Sequence, residues 1–419
     1  MKPSSILALV LAAGLPVLAQ SPATLTYGNM TARLGALAQI QFQSNTDPVL
    51  VGTSDDFVVR RVRIYAVGTI GDKIEWRLDT DDPNLGRVAG STNGTKNLNN
   101  VYIQDALVTL LLDPGFKLDS GLITIDPSHD AIVGAAKIYA WDAFAYQGLQ
   151  NTPLQNNNTG TQGSAPLNRD FGVQARGLLF GGHLEYHFGL TNGYRNGAND
   201  TNASTGGNTG AGVTIIPGVT SISSNNSLRT TLRAQYNLFD SEDATYTTEG
   251  TYFGQKKIVS LSLGYEAQDE YRQRVAEVFV DLPVNGGRDV LTVHGGYWRY
   301  DGGHFLPTLL KQKDYSFEAG YSFGKQWNPI LRIEGRRFDT PGEASLGTPL
   351  SQANWILTPA AFNENRQSLG LAYWYHQHNA SFKVFYSNVQ PRNAVRASGL
   401  SSGFRNYHQV VAQLQLYVF

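Results

Sequence analysis

From residue 31 to the C-terminus, polar and apolar side chains alternate with a period of two, and the 3.6-residue period of a helix is nearly absent. In DKIEWRLDT, Lys73, Glu75, Arg77 and Asp79 share one side while Ile74, Trp76 and Leu78 share the other. SLRTTLRAQYNLF repeats the pattern, setting Arg229, Thr231, Arg233, Gln235 and Asn237 against Leu228, Leu232, Ala234, Tyr236 and Leu238. In HLEYHFGL, His183, Glu185 and His187 oppose Leu184, Tyr186 and Phe188. Sixteen strands are predicted, near residues 31–43, 56–68, 73–80, 99–111, 116–125, 169–180, 183–193, 227–239, 252–267, 271–282, 288–300, 312–323, 329–339, 366–377, 380–390 and 405–419.

The connections sort by length. Those after even-numbered strands are mostly tight, as at 69–72, 113–116, 181–182 and 378–379, whereas those after odd-numbered strands are mostly long and polar, as at 81–98, 126–168, 194–226, 340–365 and 391–404. A single two-faced strand fits a soluble sandwich as well as a barrel. Sixteen of them would leave a sandwich with wide edges to protect, while a closed sheet satisfies every backbone N–H and C=O in lipid. The expected fold is all-β: a transmembrane antiparallel β-barrel of about 16 strands, with short periplasmic turns and long extracellular loops.

Composition narrows the reading. The chain has 419 residues, 44 Gly, 21 Tyr and 19 Phe but no Cys, so a disulfide framework and a thiolate metal site are excluded. Lys and Arg (33) balance Asp and Glu (34), which removes the usual argument for a nucleic-acid partner. Residues 1–19 read as a signal peptide: Lys2, an apolar run from Ile6 to Leu15, and Val17-Leu18-Ala19 before a cleavage at Gln20. Residues 20–419 then form the barrel, exported to a bacterial outer membrane. No stretch reaches the roughly 20 apolar residues of a membrane helix.

The segment FVVRRVRIYAVGTIGDKIEWRLD at 57–79, with VYIQDALVTLLLDPGFKLDSG at 101–121 and NRDFGVQARGLLFGGHLEYHFGLTNG at 168–193, resembles the family of phosphate-selective porins O and P. PILRIEGRRF at 329–338 and NRQSLGLAYWYHQHNASFKVFYS at 365–387 are similar to its later strands. The resemblance implies a sixteen-stranded barrel, a homotrimer, that passes small anions such as phosphate along arginines through outer-membrane lipid. One departure weakens the phosphate reading, because ITIDPSHDAIVGAAKIYAWD after the fifth strand has His129 and Lys137 as its only basic side chains. The last strand, ending in Phe419, also resembles the aromatic C-terminal strand of outer-membrane barrels, although Tyr417 and Phe419 fall out of phase with Leu416, Leu414 and Ala412, which implies either a bulge or a different phasing of this strand.

Phasing the strands inward gives nine Arg (33, 61, 63, 77, 176, 229, 233, 332, 336) and three Lys (73, 256, 383). Eight carboxylates oppose them: Glu75, Asp79, Asp170, Glu185, Glu266, Glu277, Asp281 and Glu334. The expected lumen is positive by about four, enough for a weak anion preference. The candidate pore-lining, anion-binding set is Arg61, Arg63, Lys73, Arg77, Arg176, Arg229, Arg233, Arg332 and Arg336. Arg61 and Arg63 lead it, since they project the same way about 7 Å apart, and a guanidinium offers permanent charge and bidentate hydrogen bonds. Alternatively, Arg61, Arg63 and Arg77 pair with Glu75 and Asp79 to stiffen the wall. Arg60 falls on the opposite face and is expected at the outer interface.

The long connection 126–168 is expected to fold into the barrel and narrow it, its first half packing Ile132, Val133, Tyr139, Trp141, Phe144 and Tyr146 on the wall; a cap over the mouth is the other reading. GLSSG at 399–403 matches a nucleophile-elbow pattern with Ser401, making a barrel lipase or protease the rival function, but it sits in a polar loop. A non-conducting structural barrel is a third reading. His376 and His378 share a predicted face and fit an aromatic girdle better than a metal. Asp55-Asp56 and Asp79, Asp81 and Asp82 read as solvated loop acids. No phosphate-binding loop motif occurs, so no cofactor is expected.

Overall fold

The computed structural model describes residues 24–46, 52–85, 101–145, 168–193, 227–303, 311–339, 363–392 and 406–419. The strands are β1 (Thr24–Tyr27), β2 (Met30–Thr46), β3 (Thr53–Ile70), β4 (Ile74–Asp81), β5 (Tyr102–Asp113), β6 (Phe116–Thr124), β7 (Arg169–Leu179), β8 (Leu184–Thr191) and β9 (Arg229–Asn237). They continue as β10 (Ile258–Gln268), β11 (Tyr271–Val284), β12 (Asp289–Asp301), β13 (Gln312–Ser322), β14 (Trp327–Phe338), β15 (Asn363–His376), β16 (Ala380–Arg392) and β17 (Tyr407–Val418). Each of β2 to β17 pairs antiparallel with its sequence neighbour. The ring closes between β17 and β2, from Gln409 opposite Asn45 to Val418 opposite Ala36. The result is a closed sixteen-stranded antiparallel barrel, with β1 a short ribbon hairpinned onto β2.

The alternation explains the closure. Leu263 (69% exposed), Leu369 (62%) and Ile64 (61%) point outward, while their strand neighbours Ser262, Ser368 and Arg63 are buried on the inside. The molecule is inverted relative to a soluble protein, apolar without and polar within, as a lipid-facing barrel requires. Closure leaves no ladder edge in the ring.

Three expectations are corrected. Strand β10 begins at Ile258, not near 252, because Phe253 (φ 52°) and Gly254 (φ 70°) take the left-handed conformation, which no extended strand accommodates. Lys256 therefore lies off the strand. The β17 register is continuous, so no bulge occurs there. Tyr417 instead follows Gln413 and Gln415 inward, and with Phe419 it packs on Leu37, Tyr65, Ala135 and Ala136. Third, the bulge lies in β3, where Gln39 faces Arg61 but Ile40 faces Val59, leaving Arg60 as the extra residue.

Candidate functional site

Residues 126–145 leave β6 and lie against the inner wall. Their first part, the root, is caught by an acid. Glu277 of β11 accepts hydrogen bonds from Ser128 Oγ (2.9 Å), the His129 backbone N–H (2.7 Å) and the Asp130 backbone N–H (3.4 Å), and it faces His294 Nε2 at 3.3 Å. The last part, the tip, is caught by cations. Lys383 Nζ of β16 donates to the carbonyls of Ile138 and Ala140, both at 2.7 Å. Arg332 Nη1 of β14 donates to the carbonyls of Asp142 (2.9 Å) and Ala143 (3.2 Å). Arg60 Nε and Arg61 Nη2 donate to the two oxygens of Asp142 at 2.9 and 2.6 Å.

Between root and tip, the amides of Gln39 and Gln415 donate to the carbonyls of Ala135 (3.0 Å) and Ala136 (2.8 Å). Tyr139 Oη donates to Asn328 Oδ1 at 3.0 Å. Its ring lies over Gly320, where an added Cβ would overlap the hydroxyl, and Pro127 lies equally close over Gly264, so both positions require glycine. Tyr139, Trp141, Phe253, Trp374 and Phe385 form a buried apolar cluster inside the barrel. Of the loop residues expected to pack on the wall, Tyr146 lies outside the described residues, as do 146–167, the signal peptide and Ser401.

A second segment enters from the opposite mouth, which the sequence pattern did not reveal. Residues 238–257, between β9 and β10, run inside the barrel and meet the loop. Thr248 N–H donates to the Ile132 carbonyl (3.1 Å), Gly134 N–H to the Thr248 carbonyl (3.1 Å) and Gly250 N–H to the Lys137 carbonyl (3.0 Å). Val133 and Thr248 form a parallel β-bridge. Glu242 binds His129 Nε2 (2.9 Å) and accepts from Tyr252 Oη (2.8 Å) and Gln235 (2.8 Å). Tyr246 Oη donates to Asp105 (2.8 Å), and the Arg77 guanidinium lies 5.6 Å from the Tyr246 ring. The Ala244 carbonyl accepts from Arg176 and its N–H donates to Glu185, while Lys117 donates to the Asp243 carbonyl. Phe253 meets Trp374 edge-on.

Among the described residues, every predicted arginine except Arg33 has a carboxylate close by. Arg63 binds Asp81 (2.8 Å), Arg77 binds Asp79 (2.7 Å), Arg176 grips Asp119 with two nitrogens (2.8 and 3.0 Å), Arg229 binds Glu266 (2.6 Å), Arg233 binds Glu185 (3.3 Å) and Arg332 binds Glu318 (2.6 Å). Arg336 lies near Asp314 and 5.2 Å from the Phe338 ring. Arg33, near the rim, stacks on Phe419 at 5.0 Å. Two candidates move. Lys73 sits exposed in the turn before β4 rather than on the inner wall, and Lys256 pairs with Asp243 in the second segment. Arg60 is not at the lipid interface, since the bulge turns it inward onto Asp142.

The expected surplus of about four positive charges is also not found. Among the described residues, the buried set has eight Lys and Arg against seventeen Asp and Glu. Asp81, Asp105, Asp119, Asp314 and Glu318 were not counted, yet the same alternation marks them: in KDYSFEAG, Asp314 and Glu318 oppose Tyr315 and Phe317. Asp79 and Asp81 are wall acids paired with arginine, not solvated loop residues. A register shift between Trp374 and His376 leaves His376 exposed and His378 buried, so the two share no face, and no metal-binding cluster exists among the described residues.

The loop acids feel these surroundings differently. Burial alone would raise the Asp142 carboxyl, but Arg60 and Arg61 outweigh it and hold it well below the usual carboxylate range. Burial lifts Asp130 to about 7, against the opposing pull of His294 and Arg332. Burial would likewise raise Glu249, but His378 and Lys137 bring it down to about 2.

No protein-family model and no curated protein match the chain. Solved structures match its shape. The anion-selective porin from Comamonas acidovorans aligns over 93% of this chain and 99% of its own, at 11% identity and a TM-score of 0.52. OmpF of Salmonella typhi, in complex with daunomycin, aligns over 94% and 100% at 11% identity and 0.53. OmpT, an outer membrane protein of Vibrio cholerae, aligns over 94% and 99% at 10% identity and 0.51. The fold is that of a porin. At such identities the likeness is one of architecture, and what this porin fold passes must be argued from its own lumen.

Proposed function

We propose that the chain is an outer-membrane channel for passive diffusion of small hydrophilic solutes, with a weak preference for small anions, phosphate among them. The observation that carries this is the cationic strip at the loop tip, where four cations, Arg60, Arg61, Arg332 and Lys383, meet three acids, Asp142, Glu318 and Glu334. The side chains of Arg60 and Asp142 keep 22% and 26% exposure, so the strip borders water at this pair, while Arg332 and Lys383 are buried. Selectivity is set where the path is narrowest, so a local excess of cations matters more than the total over the barrel. Arg63, Arg77, Arg176, Arg229, Arg233 and Arg336 act in this proposal as secondary lining whose charge the neighbouring acids offset, which makes the preference weak. The signal peptide is removed on export, and three copies assemble in outer-membrane lipid, as the family resemblance implies.

Reversal potentials in a salt gradient, with chloride and then phosphate, test the reading. Arg61→Ala with Arg63→Ala lowers anion over cation permeability; an unchanged reversal potential rejects their role. One observation favours a second reading, a non-conducting barrel: residues 126–145 and 238–257 together reach the inner face of every strand in the ring. The loop reaches β2, β3, β10 to β14, β16 and β17, and the second segment reaches β4 to β9 and β15. Planar-bilayer recording separates the two, because a sealed barrel shows no unitary current steps.

A further inference from the structure

Two inward segments between them touch all sixteen strands, so the width of any path through the barrel depends on where these segments sit. Both segments are tied through their backbone to charged wall groups, residues 126–145 at Glu277, Lys383 and Arg332 and residues 238–257 at Arg176, Glu185 and Asp281. Residues 238–257 differ in their backbone strain and in the space beside them, and they meet the loop along a limited join.

The second segment concentrates backbone strain. Asp243 (φ 66°), Ala244 (φ 44°) and Phe253 (φ 52°) are non-glycine residues in the left-handed region, a conformation that only the surrounding contacts sustain. It is also flanked by space: a hollow of about 350 Å³ borders Ser241, Asp243 and Lys256, and another of about 260 Å³ borders Glu249, Tyr252 and Gln255. Finally, its join to the loop is narrow: a short backbone ladder at Thr248 and Gly250, flanked by the side-chain pairs Glu242–His129 and Glu249–Lys137.

We propose that residues 238–257 are a gate entering from the periplasmic mouth, which seals the lumen against residues 126–145 when docked and opens it by withdrawing toward the periplasm while the loop stays in place. The inference rests on the channel reading above. In the docked state solute is stopped at the Val133–Thr248 bridge. The undocked state relieves the strained residues and leaves the loop tip as the remaining filter.

The chain has no cysteine, so Val133→Cys with Thr248→Cys introduces the only thiols. Bridge partners lie about 4.8 Å apart, within disulfide reach. Under oxidant the pair cross-links, and unitary conductance falls by about tenfold or more relative to the same protein after reduction, as expected for a pore held shut. A second variant replaces residues 241–255 by a short Gly-Ser linker, and its conductance exceeds that of the parent. Failure to cross-link overturns the docked geometry. Equal conductance of the oxidised and reduced double-cysteine protein overturns the gate while leaving the channel intact, and absence of current from the parent, the reduced variant and the linker variant overturns the channel reading itself and the gate with it.

Discussion

The root and the tip of the loop at 126–145 are held by opposite chemistry. At the root, the wall offers acceptors and the loop offers donors: one carboxylate, Glu277, collects two backbone N–H groups and a hydroxyl. At the tip, the wall offers mainly donors and the loop mainly acceptors: Lys383 and Arg332 each take two backbone carbonyls, and Arg60 and Arg61 share Asp142, while the Ala145 N–H alone donates outward, to Glu334. Apart from two short 3-10 turns, Asp130–Ile132 and Ala135–Lys137, and one bridge to Thr248, this inward loop has no regular structure to satisfy its backbone, so the wall must supply what a ladder normally supplies. The difference teaches that the wall charges beside the loop, Glu277, Lys383, Arg332, Arg60 and Arg61, serve first to complete its hydrogen bonding. Only the part left facing water remains for solutes.

The contrast can be broken most directly at the root. Glu277→Ala leaves two backbone N–H groups and His294 without their acceptor, at about 1–3 kcal/mol for each unsatisfied group. The expected result is a clear drop in the thermal midpoint in detergent, with new protease cleavage between residues 126 and 135. An unchanged midpoint would mean that Glu277 does not hold the root. Next in size is the tip, where Lys383→Met keeps the length of the side chain but removes both donors. We expect a smaller loss of stability, since a buried carbonyl without a donor is tolerated more readily than a buried N–H without an acceptor, and a shift of the reversal potential toward cations. A midpoint loss as large as that of Glu277→Ala would erase the asymmetry.

A finer test concerns the bulge. If Arg60 faced lipid at the rim, Arg60→Ala would be indifferent to residue 142. In the observed geometry a double-mutant cycle of Arg60→Ala with Asp142→Asn gives a coupling of about 0.5–3 kcal/mol, read from thermal midpoints. Additive effects would return Arg60 to the outside. The smallest expected effect is on pH. Asp130, raised to about 7, carries a proton below that pH and a negative charge above it. Because the folded state favours the protonated form, the stability it contributes is present at acid pH and is lost as pH rises from the ordinary carboxylate range through about 7. Acidifying from about pH 8 to about pH 6 therefore makes the root less negative and raises anion over cation permeability slightly, and Asp130→Asn flattens that dependence. Asp142, held low by its two arginines, stays ionised throughout.

The architecture was legible because period-two alternation and the sorting of loop lengths are properties of every strand, so one misplaced boundary does not alter the sum. Arg61, Arg63 and Arg332 were correctly phased inward for the same reason. Arg60 was misplaced because a single bulge residue shifts the phase of everything beyond it, and nothing in VVRRVR announces a bulge. The segment at 238–257 was hidden by its own ending: YFGQKKIVSL continues the alternation of β10 back to residue 252, while the break is made by the φ of Phe253, which no residue type there requires. The partners of each arginine were out of reach, since pairing depends on register between strands far apart in the chain. Lys383 was counted as a pore cation, but its bonds to the loop carbonyls follow from where the loop lies, which pattern alone does not fix.

The seam between β17 and β2 has a consequence for biogenesis. Gln39 and Gln415, hydrogen-bonded across it at 2.7 Å, are 376 positions apart. Synthesis must deliver nearly the entire polypeptide before the first transmembrane strand acquires its second neighbour. Until then an open sheet with a greasy exterior and an unsatisfied margin has to be chaperoned rather than folded, and losing the last dozen residues would leave it permanently unzipped.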